Sequence, residues 1–330
     1  MKYVGVACST SILPVSRRFS LKSDHIKASW LFCPEVTTPP LRSTSQSRIQ
    51  RRKRRSVIST LSAVQGDVCT SPVQEERHTL PDGTQLEVLR LDGNKAPRHA
   101  KPPLVMLHGS GHAAWCYQET FMPYFADRGH DTYAISFRSQ GKSDRQLGVK
   151  SAGTLASHAA DLDHFVSTLD QPPVIIAHSL SGLIAQRYVL GDSTAKPHPQ
   201  IAGLVLLASA PPAGNGSLVG RTMRKRPLFS IRLTWGFITR SYSRSQSLFK
   251  EMFMSHDIPE QDLQRWFKLL QDNMSPVQLD VVVDVEAARE TAQHFGQSDA
   301  IELQGVAHDL MLDTRWPTAT EAILQWLCSL

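Results

Sequence analysis

Cysteine and long apolar runs are both scarce in this 330-residue sequence. Of its five cysteines, only Cys69, Cys116 and Cys328 lie beyond residue 65, and none belongs to a CxxC pair. This scarcity argues against a disulfide framework and against a zinc site. The longest nearly unbroken apolar run, residues 201–210, is about half as long as a membrane span requires. We therefore expect no transmembrane helix, no bound metal and no other cofactor.

Acidic residues are scarce only at the start of the chain. Residues 1–65 hold twelve Lys and Arg against Asp24 and Glu35, a net charge of +10. The other 265 residues hold 24 Lys and Arg against 28 Asp and Glu, a net charge of −4. Because the positive excess lies in one terminal segment and not in the body, we expect no nucleic-acid partner.

The first 65 residues have the composition of a targeting segment. They are rich in arginine and serine and poor in acids, which is typical of an organellar transit peptide. A secretory signal fits less well, because the apolar run after Lys2 is short. The basic cluster at 51–55 fits a nuclear signal less well than a solvated basic leader. We predict that residues 1–65 are a disordered transit peptide that directs import into plastids, with mitochondria as the alternative.

Residues 66–330 alternate between short apolar segments and amphipathic ones. Apolar segments at 104–107, 132–137, 174–177 and 201–208 predict buried strands, and a turn signal inside 77–92 predicts a hairpin. Most of the intervals between these strands have apolar residues at helical spacing. This order predicts an α/β fold with a mostly parallel central sheet covered by helices on both faces. Residues 212–273 lose the alternation and become helical, which predicts an inserted cap.

The strongest chemical signal is the segment Ala177-His178-Ser179-Leu180-Ser181-Gly182. Ser179 falls where a buried strand ends and a helix begins, and the residues two positions on either side of it are small. A serine on such a sharp turn is exposed for nucleophilic attack. The helix that follows offers free N–H groups to a developing anion. His178 is expected to be a packing residue.

Two further segments follow predicted strands. Leu107-His108-Gly109-Ser110-Gly111-His112 has glycines that allow a tight turn near a ligand. Gly305-Val306-Ala307-His308-Asp309-Leu310 places a histidine at the carboxyl end of the last strand, where α/β folds hold their sites. We expect Asp309 to point away from that site and to be structural.

These three segments resemble the α/β-hydrolase superfamily, and their order along the chain is that of the family. The resemblance covers residues 76–330 and includes a polar loop at 137–144; the run from His108 to Tyr117 is most similar to plant esterases and hydroxynitrile lyases. It implies that Ser179 is the nucleophile, that His308 is the general base and that the N–H groups of Ser110 and Leu180 form the oxyanion hole. His112 and Trp115 are candidate substrate-binding residues, although His112 could instead cap its own loop.

The resemblance also implies an acid partner for His308. Family members place it after a full strand, and Asp280 matches that position. Only residues 276–279 remain to form the strand, however, which is short of the five or six residues that usually cross a sheet. The stretch is about five residues shorter than the family pattern, and Asp284 would take over if the valines at 281–283 moved into the sheet.

The cap has a distinctive composition. From Ala213 to Lys250 there are eight basic residues and no acidic one, interleaved with large apolar side chains. This pattern favours apolar substrates and is compatible with peripheral contact with an anionic membrane surface. The predicted function is hydrolysis of an apolar carboxylic ester or thioester through an acyl-enzyme on Ser179. A lyase on the same scaffold and a ligand-binding protein without activity are the alternatives.

Overall fold

The computed structural model describes residues 2–9, 72–94, 101–146, 152–191, 201–209, 211, 220–221, 223–224, 227–274, 285–296 and 300–330. Its centre is an eight-stranded sheet in the order β2-β3-β5-β4-β6-β7-β1-β8. The strands are β1 (Lys2–Ser9), β2 (Gln74–Thr79), β3 (Gln85–Leu91), β4 (Leu104–Leu107), β5 (Thr132–Ile135), β6 (Val174–His178), β7 (Gly203–Leu207) and β8 (Ile301–Gln304).

Most neighbouring strands run parallel. The hairpin of β2 and β3 and the pairing of β3 with β5 are antiparallel, whereas every other neighbouring pair is parallel. The three central strands β4, β6 and β7 are buried along their whole length. A strand that is buried on both faces must be apolar throughout, which explains their continuous apolar sequences. The predicted fold class is therefore confirmed.

Helices cover both faces of the sheet. The segments are α1 (Phe121–Ala126), α2 (Leu155–Val166), α3 (Leu180–Leu190), α4 (Pro227–Thr239), α5 (Gln246–Phe253), α6 (Glu260–Asn273), α7 (Val285–His294) and α8 (Trp316–Leu327). Alternate side chains of β4 enter two separate cores: Leu104 and Met106 face one, Val105 and Leu107 the other. This alternation is what a pleated strand between two helical layers requires.

The predicted cap is helical where it is described. Helices α4, α5 and α6 follow one another between β7 and α7, and Tyr242, Phe249 and Phe253 are buried among them. Phe253 at the end of α5 belongs to the same apolar core as the strands. The cap is therefore packed onto the sheet domain through aromatic side chains. In the described part of the chain, no helix combines the length and the apolar character that a bilayer crossing needs.

The expectation that all of residues 1–65 lie outside the fold is wrong for the first strand. Lys2–Ser9 forms β1, which lies between β7 and β8 and runs parallel to both. Val4 and Val6 of this strand are buried. Residues 10–71, like residues 275–284, lie outside the described residues.

Candidate active site

Ser179 sits at a sharp turn between β6 and α3. Its backbone has φ 54° and ψ −115°, a conformation that residues other than glycine rarely adopt. Its amide donates a hydrogen bond of 2.9 Å to the carbonyl oxygen of Leu207 on the neighbouring strand. Such strain costs about 1–3 kcal/mol and persists only where the surroundings hold it in place. The turn therefore presents Ser179 at the carboxyl end of the sheet.

The tight packing around the turn explains why its neighbours are small. A Cβ atom on Gly182 would lie 1.8 Å from the Oγ atom of Ser209, so no side chain fits there. Ser181 stands where the family usually has glycine, and it is fully buried. Its Oγ atom is 2.7 Å from the carbonyl oxygen of Leu107 and 2.8 Å from that of His178. The hydroxyl is tolerated because it finds these acceptors.

The structure brings His308 to Ser179. The Nε2 atom of His308 is 3.1 Å from the Oγ atom of Ser179, within hydrogen-bond distance. The loop that carries His308 is fixed by the buried Asp313, whose carboxylate accepts hydrogen bonds from the amides of Ala307 (2.9 Å) and Arg315 (2.7 Å). The imidazole is thus held by its loop in the place where a general base has to be.

The surroundings of His308 favour its neutral form. Burial lowers the pKa of His308, the negative charge of Asp309 opposes that effect, and the net result is a pKa below 6.5. A neutral imidazole has a lone pair on Nε2 that can accept the proton of the serine hydroxyl. His308 is therefore in the protonation state that a base needs at neutral pH.

His178, predicted to be a packing residue, also supports the His308 loop. It is buried, and burial lowers its pKa to about 3, so its ring is neutral. Its Nε2 atom is 2.9 Å from the carbonyl oxygen of His308 and donates a hydrogen bond to it. Its Nδ1 atom packs on Gly109, where a Cβ atom would approach it to 2.7 Å. The ring therefore joins the loop after β4 to the loop after β8.

The expectation that Asp309 points away from the site is wrong. Its carboxylate is fully buried, 3.0 Å from Nε2 of His112 and 3.8 Å from Nε2 of His178. Burial would raise the pKa of Asp309, but the histidines around it, His112 foremost, lower it overall. A bend at residues 308–309 turns both side chains inward. Asp309 thus supplies a negative charge directly behind the candidate catalytic pair.

His112 has an acceptor opposite each of its ring nitrogens. Its Nδ1 atom is 2.8 Å from the carbonyl oxygen of Ser110, and its Nε2 atom lies 3.0 Å from the carboxylate of Asp309. Two acceptors favour the protonated, positively charged form of the ring. Burial acts against this charge, but Asp309 and the Ser110 carbonyl raise the pKa of His112 overall. Of the two alternatives for His112, the geometry therefore fits the one in which it holds its own loop.

Ser110 and Leu180 belong to the two segments that adjoin Ser179, the loop after β4 and the start of α3. A Cβ atom on Gly109 would lie 3.1 Å from Cβ of Ser179, so the loop that carries Ser110 packs against the nucleophile candidate. Leu180 is the first residue of α3, where backbone N–H groups have no partner inside the helix. The positive end of the helix dipole points the same way. These two amides are the ones that the sequence assigned to an oxyanion hole.

Aromatic rings connect the site to the cap. Trp115 is partly buried and stacks on His112, with ring centroids 5.5 Å apart, and on Trp266 of α6, with centroids 6.0 Å apart. Phe253 of α5 lies 6.0 Å from the His308 ring. The predicted substrate-binding residue Trp115 therefore bridges the loop after β4 and the cap. Phe253 was not singled out from the sequence, although its place in an aromatic-rich cap segment was the available signal.

The predicted acid, Asp280, and its alternative, Asp284, both lie outside the described residues. Within the described ranges, one group of three side chains has metal-ligand geometry: His178, His308 and Asp309, whose ligand atoms lie within 4.8 Å of one another. Two imidazole nitrogens in this group are already engaged with the His308 carbonyl and the Ser179 hydroxyl. The group is therefore better suited to proton transfer than to binding a metal ion.

A family comparison agrees with this arrangement. Residues 104–324 match the alpha/beta hydrolase family. The chain belongs to this family. The matched range contains the three site segments and the cap, so the family's fold accounts for the sheet edge on which Ser179 and His308 meet. A comparison with curated proteins gives no match.

Several solved structures have a fold similar to that of this α/β-hydrolase. An esterase from Exiguobacterium antarcticum has 18% identity and a TM-score of 0.54, covering 77% of this chain and 99% of its own. An esterase from Rhodococcus sp. has 19% identity and a TM-score of 0.55, with 79% and 100% covered. A bromoperoxidase from Bacillus anthracis has 16% identity and a TM-score of 0.56, with 77% and 99% covered. Similarity at these identities shows the fold alone, and the function has to be argued from the site.

Proposed function

We propose that this α/β-hydrolase is a serine hydrolase that cleaves carboxylic esters or thioesters of an apolar acid or alcohol. The observation that carries the proposal is the contact between Ser179 and His308. The serine occupies a strained turn at the end of β6, and its Oγ atom lies 3.1 Å from the lone-pair nitrogen of a neutral imidazole. Strained backbone at a buried nucleophile–base pair is a feature of functional sites and not of ordinary helix caps.

The chemistry follows from this geometry in two steps. His308 removes the hydroxyl proton as Ser179 attacks the carbonyl carbon, and the amides of Ser110 and Leu180 stabilise the oxyanion. His308 then gives the proton to the leaving alcohol or thiol, which leaves an acyl group on Ser179. A water molecule, deprotonated by the same imidazole, releases the acid and restores the hydroxyl. Each oxyanion donor contributes about 3 kcal/mol to the barrier reduction.

The positive charge that forms on His308 needs a carboxylate nearby. We assign the orienting acid to Asp280, because its position in the sequence matches that of the family's acid and the helix after it keeps the family spacing. Asp309 adds a second negative charge through its contacts with His112 and His178. A buried carboxylate stabilises an imidazolium more strongly than a solvated one does, because the local dielectric is low.

The side chains over the site favour an apolar substrate. Phe253 lies next to His308, and Trp115 and Trp266 stack beside it on the cap side. Such aromatic surfaces bind acyl or alkyl chains through apolar contact. The similarity of the run His108 to Tyr117 to plant esterases and hydroxynitrile lyases supports the same substrate class.

The proposal is tested with a fluorophosphonate probe and a panel of esters of increasing chain length. Labelling is expected on the parent protein and not on Ser179→Ala, which should also lose at least about 10⁴-fold in kcat. Ser181→Ala is the matched control, since it removes a buried serine two residues away and should keep labelling and most of the activity. A parent protein that is not labelled and binds ligands without turnover would refute the hydrolase. Turnover of a cyanohydrin without labelling would favour a lyase.

Location in the cell is a separate proposal. The composition of residues 1–65 supports import into plastids, with mitochondria as the alternative. A fluorescent protein fused to the carboxyl terminus would report the compartment. Terminal sequencing of the imported protein would then show whether Lys2–Ser9 remains attached, because removal of this segment would take β1 out of the sheet.

A further inference from the structure

The outer side of helix α4 is apolar and exposed. Leu228, Ile231, Trp235 and Ile238 are 82%, 55%, 65% and 72% exposed, respectively. Their spacing of three, four and three residues places them in one stripe along the helix. We call these four side chains the outer face of α4. A contiguous apolar stripe of this kind on a soluble domain marks a surface that meets something else.

The other side of α4 holds the helix on the protein. Phe237 is partly buried, with its ring centroid 5.7 Å from that of Tyr242 and 5.9 Å from that of Phe253. Gly236 packs on α5, where a Cβ atom would lie 3.2 Å from the sulfur of Met252. Helix α4 is therefore anchored by one face, and no element among the described residues covers its outer face. Turning the helix inward would expose Phe237 instead.

The charge around α4 indicates the kind of partner. Residues 213–250 contain eight basic residues and no acidic one. Among the described residues, Arg221 is 2.7 Å from Glu290, and Arg232 is 3.0 Å from Glu251. The sequence of residues 213–250 keeps a positive excess when these two glutamates are counted with it. A basic helix with an apolar face is the pattern of a helix that lies in the interface of an anionic membrane.

We propose that the outer face of α4 docks the protein on an anionic lipid surface. The four apolar side chains enter the boundary between head groups and acyl chains, and the basic residues contact the lipid phosphates. A second copy of the chain is a poorer occupant, because a symmetric contact through α4 would bring two strongly positive segments together. An anionic bilayer removes that repulsion and supplies attraction in its place.

Docking would place the candidate site near a source of apolar substrate. Phe237 on the inner face of α4 contacts Phe253, and Phe253 contacts the His308 ring. Two aromatic side chains in contact therefore link the inner face of α4 to His308. This consequence rests on the proposed hydrolase activity, whereas the docking itself does not.

The test uses the full chain with Ser179→Ala, so that binding is measured without turnover. Flotation with vesicles of phosphatidylglycerol and phosphatidylcholine is compared with flotation on phosphatidylcholine alone. Removing a large side chain that is buried in the lipid changes the binding constant by about tenfold. The double variant Trp235→Ser/Ile238→Ser should therefore bind anionic vesicles at least about 50-fold more weakly. Leu190→Ser, which removes an exposed leucine from α3, is the matched control and should bind like the parent.

The outcomes separate docking from catalysis. Docking is supported if anionic vesicles bind, neutral ones bind much less, and added salt weakens binding. Equal vesicle binding by the double variant and the parent overturns it. The proposal is also overturned if the protein does not bind vesicles and instead forms a dimer that the double variant abolishes. With Ser179 intact, the double variant should hydrolyse a short soluble ester at the parental rate. If neither the parent nor the double variant hydrolyses the ester, the proposed hydrolase activity is refuted, but the measured vesicle binding is unaffected.

Discussion

Nε2 of His112 lies 3.0 Å from the buried carboxylate of Asp309, and this contact raises the pKa of His112 and lowers that of Asp309. The pair joins two loops that are distant in sequence. Nδ1 of His112 is 2.8 Å from the carbonyl oxygen of Ser110, beside the candidate oxyanion donor, and Asp309 follows the candidate base directly. The pair therefore couples the two loops, together with the ring of His178, which contacts both.

Asp309→Asn should lower the free energy of unfolding by about 3 kcal/mol at pH 5–6, because it removes one partner of a buried charge pair. Chemical denaturation followed by tryptophan fluorescence measures the loss. Asp257→Asn is the control: Asp257 forms an exposed pair with Arg315, and such pairs contribute about 0–1 kcal/mol. Equal losses in the two variants would contradict the assignment of a buried pair.

The loss of unfolding free energy in Asp309→Asn should also depend on pH in a defined way. The pKa of Asp309 is lowered from 3.8, so its contribution is present above that value and is lost as the pH falls through the folded-state pKa. The pKa of His112 is raised from 6.5, so its contribution is present below 6.5 and is lost as the pH rises through the folded-state value. The difference between parent and variant should therefore be largest between pH 4 and 6.5, and a difference that grows in alkaline solution would refute the pair.

The pH dependence of activity should show a neutral base. Because burial lowers the pKa of His308 below 6.5, kcat/KM for a soluble ester should fall only when the pH drops below 6.5. Asp309 acts to raise that pKa, so Asp309→Asn should move the midpoint of the acid limb further down. Asp257→Asn should leave the midpoint unchanged. A parental midpoint above 6.5 would show that His308 is not the titrating base in this environment.

The turn at Ser179 should tolerate no Cβ atom on Gly182. Gly182→Ala places a methyl group 1.8 Å from the Oγ atom of Ser209, and such overpacking costs about 1–3 kcal/mol. Because α3 begins at this turn, activity should fall together with stability. The control is Gly220→Ala, where nothing lies within 4 Å of the added atom and the backbone is helical. Thermal unfolding and ester hydrolysis of the two variants provide the measurements, and a stable, active Gly182→Ala would contradict this packing.

The orienting acid can be assigned by two conservative variants. Asp280→Asn should lower kcat by about 10⁴-fold, because an imidazole without its carboxylate adopts the wrong tautomer. Asp284→Asn should stay close to the parent. A large loss confined to Asp284→Asn would transfer the role to that residue. Circular dichroism of both variants establishes that any loss of rate is not a loss of fold.

The parts of this molecule that depend on local sequence could be predicted. Apolar segments at 104–107, 174–177 and 201–208 predicted β4, β6 and β7, because a strand buried on both faces is apolar at every position. The sequence also placed Ser179 and His308 at the carboxyl ends of strands, and in the structure the two side chains meet there. The topology of the sheet brings them together, because parallel strands have their carboxyl ends at one edge of the sheet.

Features that depend on distant contacts could not be predicted. Composition assigned Lys2–Ser9 to a disordered leader, because no local signal shows that β7 and β8 leave a place for a strand between them. The predicted orientation of the Asp309 side chain was also wrong. Adjacent residues point to opposite sides in an extended segment, and the bend that turns both His308 and Asp309 inward becomes evident only when His112 lies opposite the carboxylate.

The place of β1 in the sheet constrains the order in which the chain folds. Val6 pairs with Leu207 on one side and with Ile301 on the other, so β1 bonds to segments that lie 201 and 295 residues further along the chain. This part of the sheet closes only when both of those segments are in place. Contacts of such large sequence separation slow folding, because the closure entropy of the chain is lost before the contacts form. Until then, β7 presents an unpaired edge that a chaperone or another nascent chain could bind.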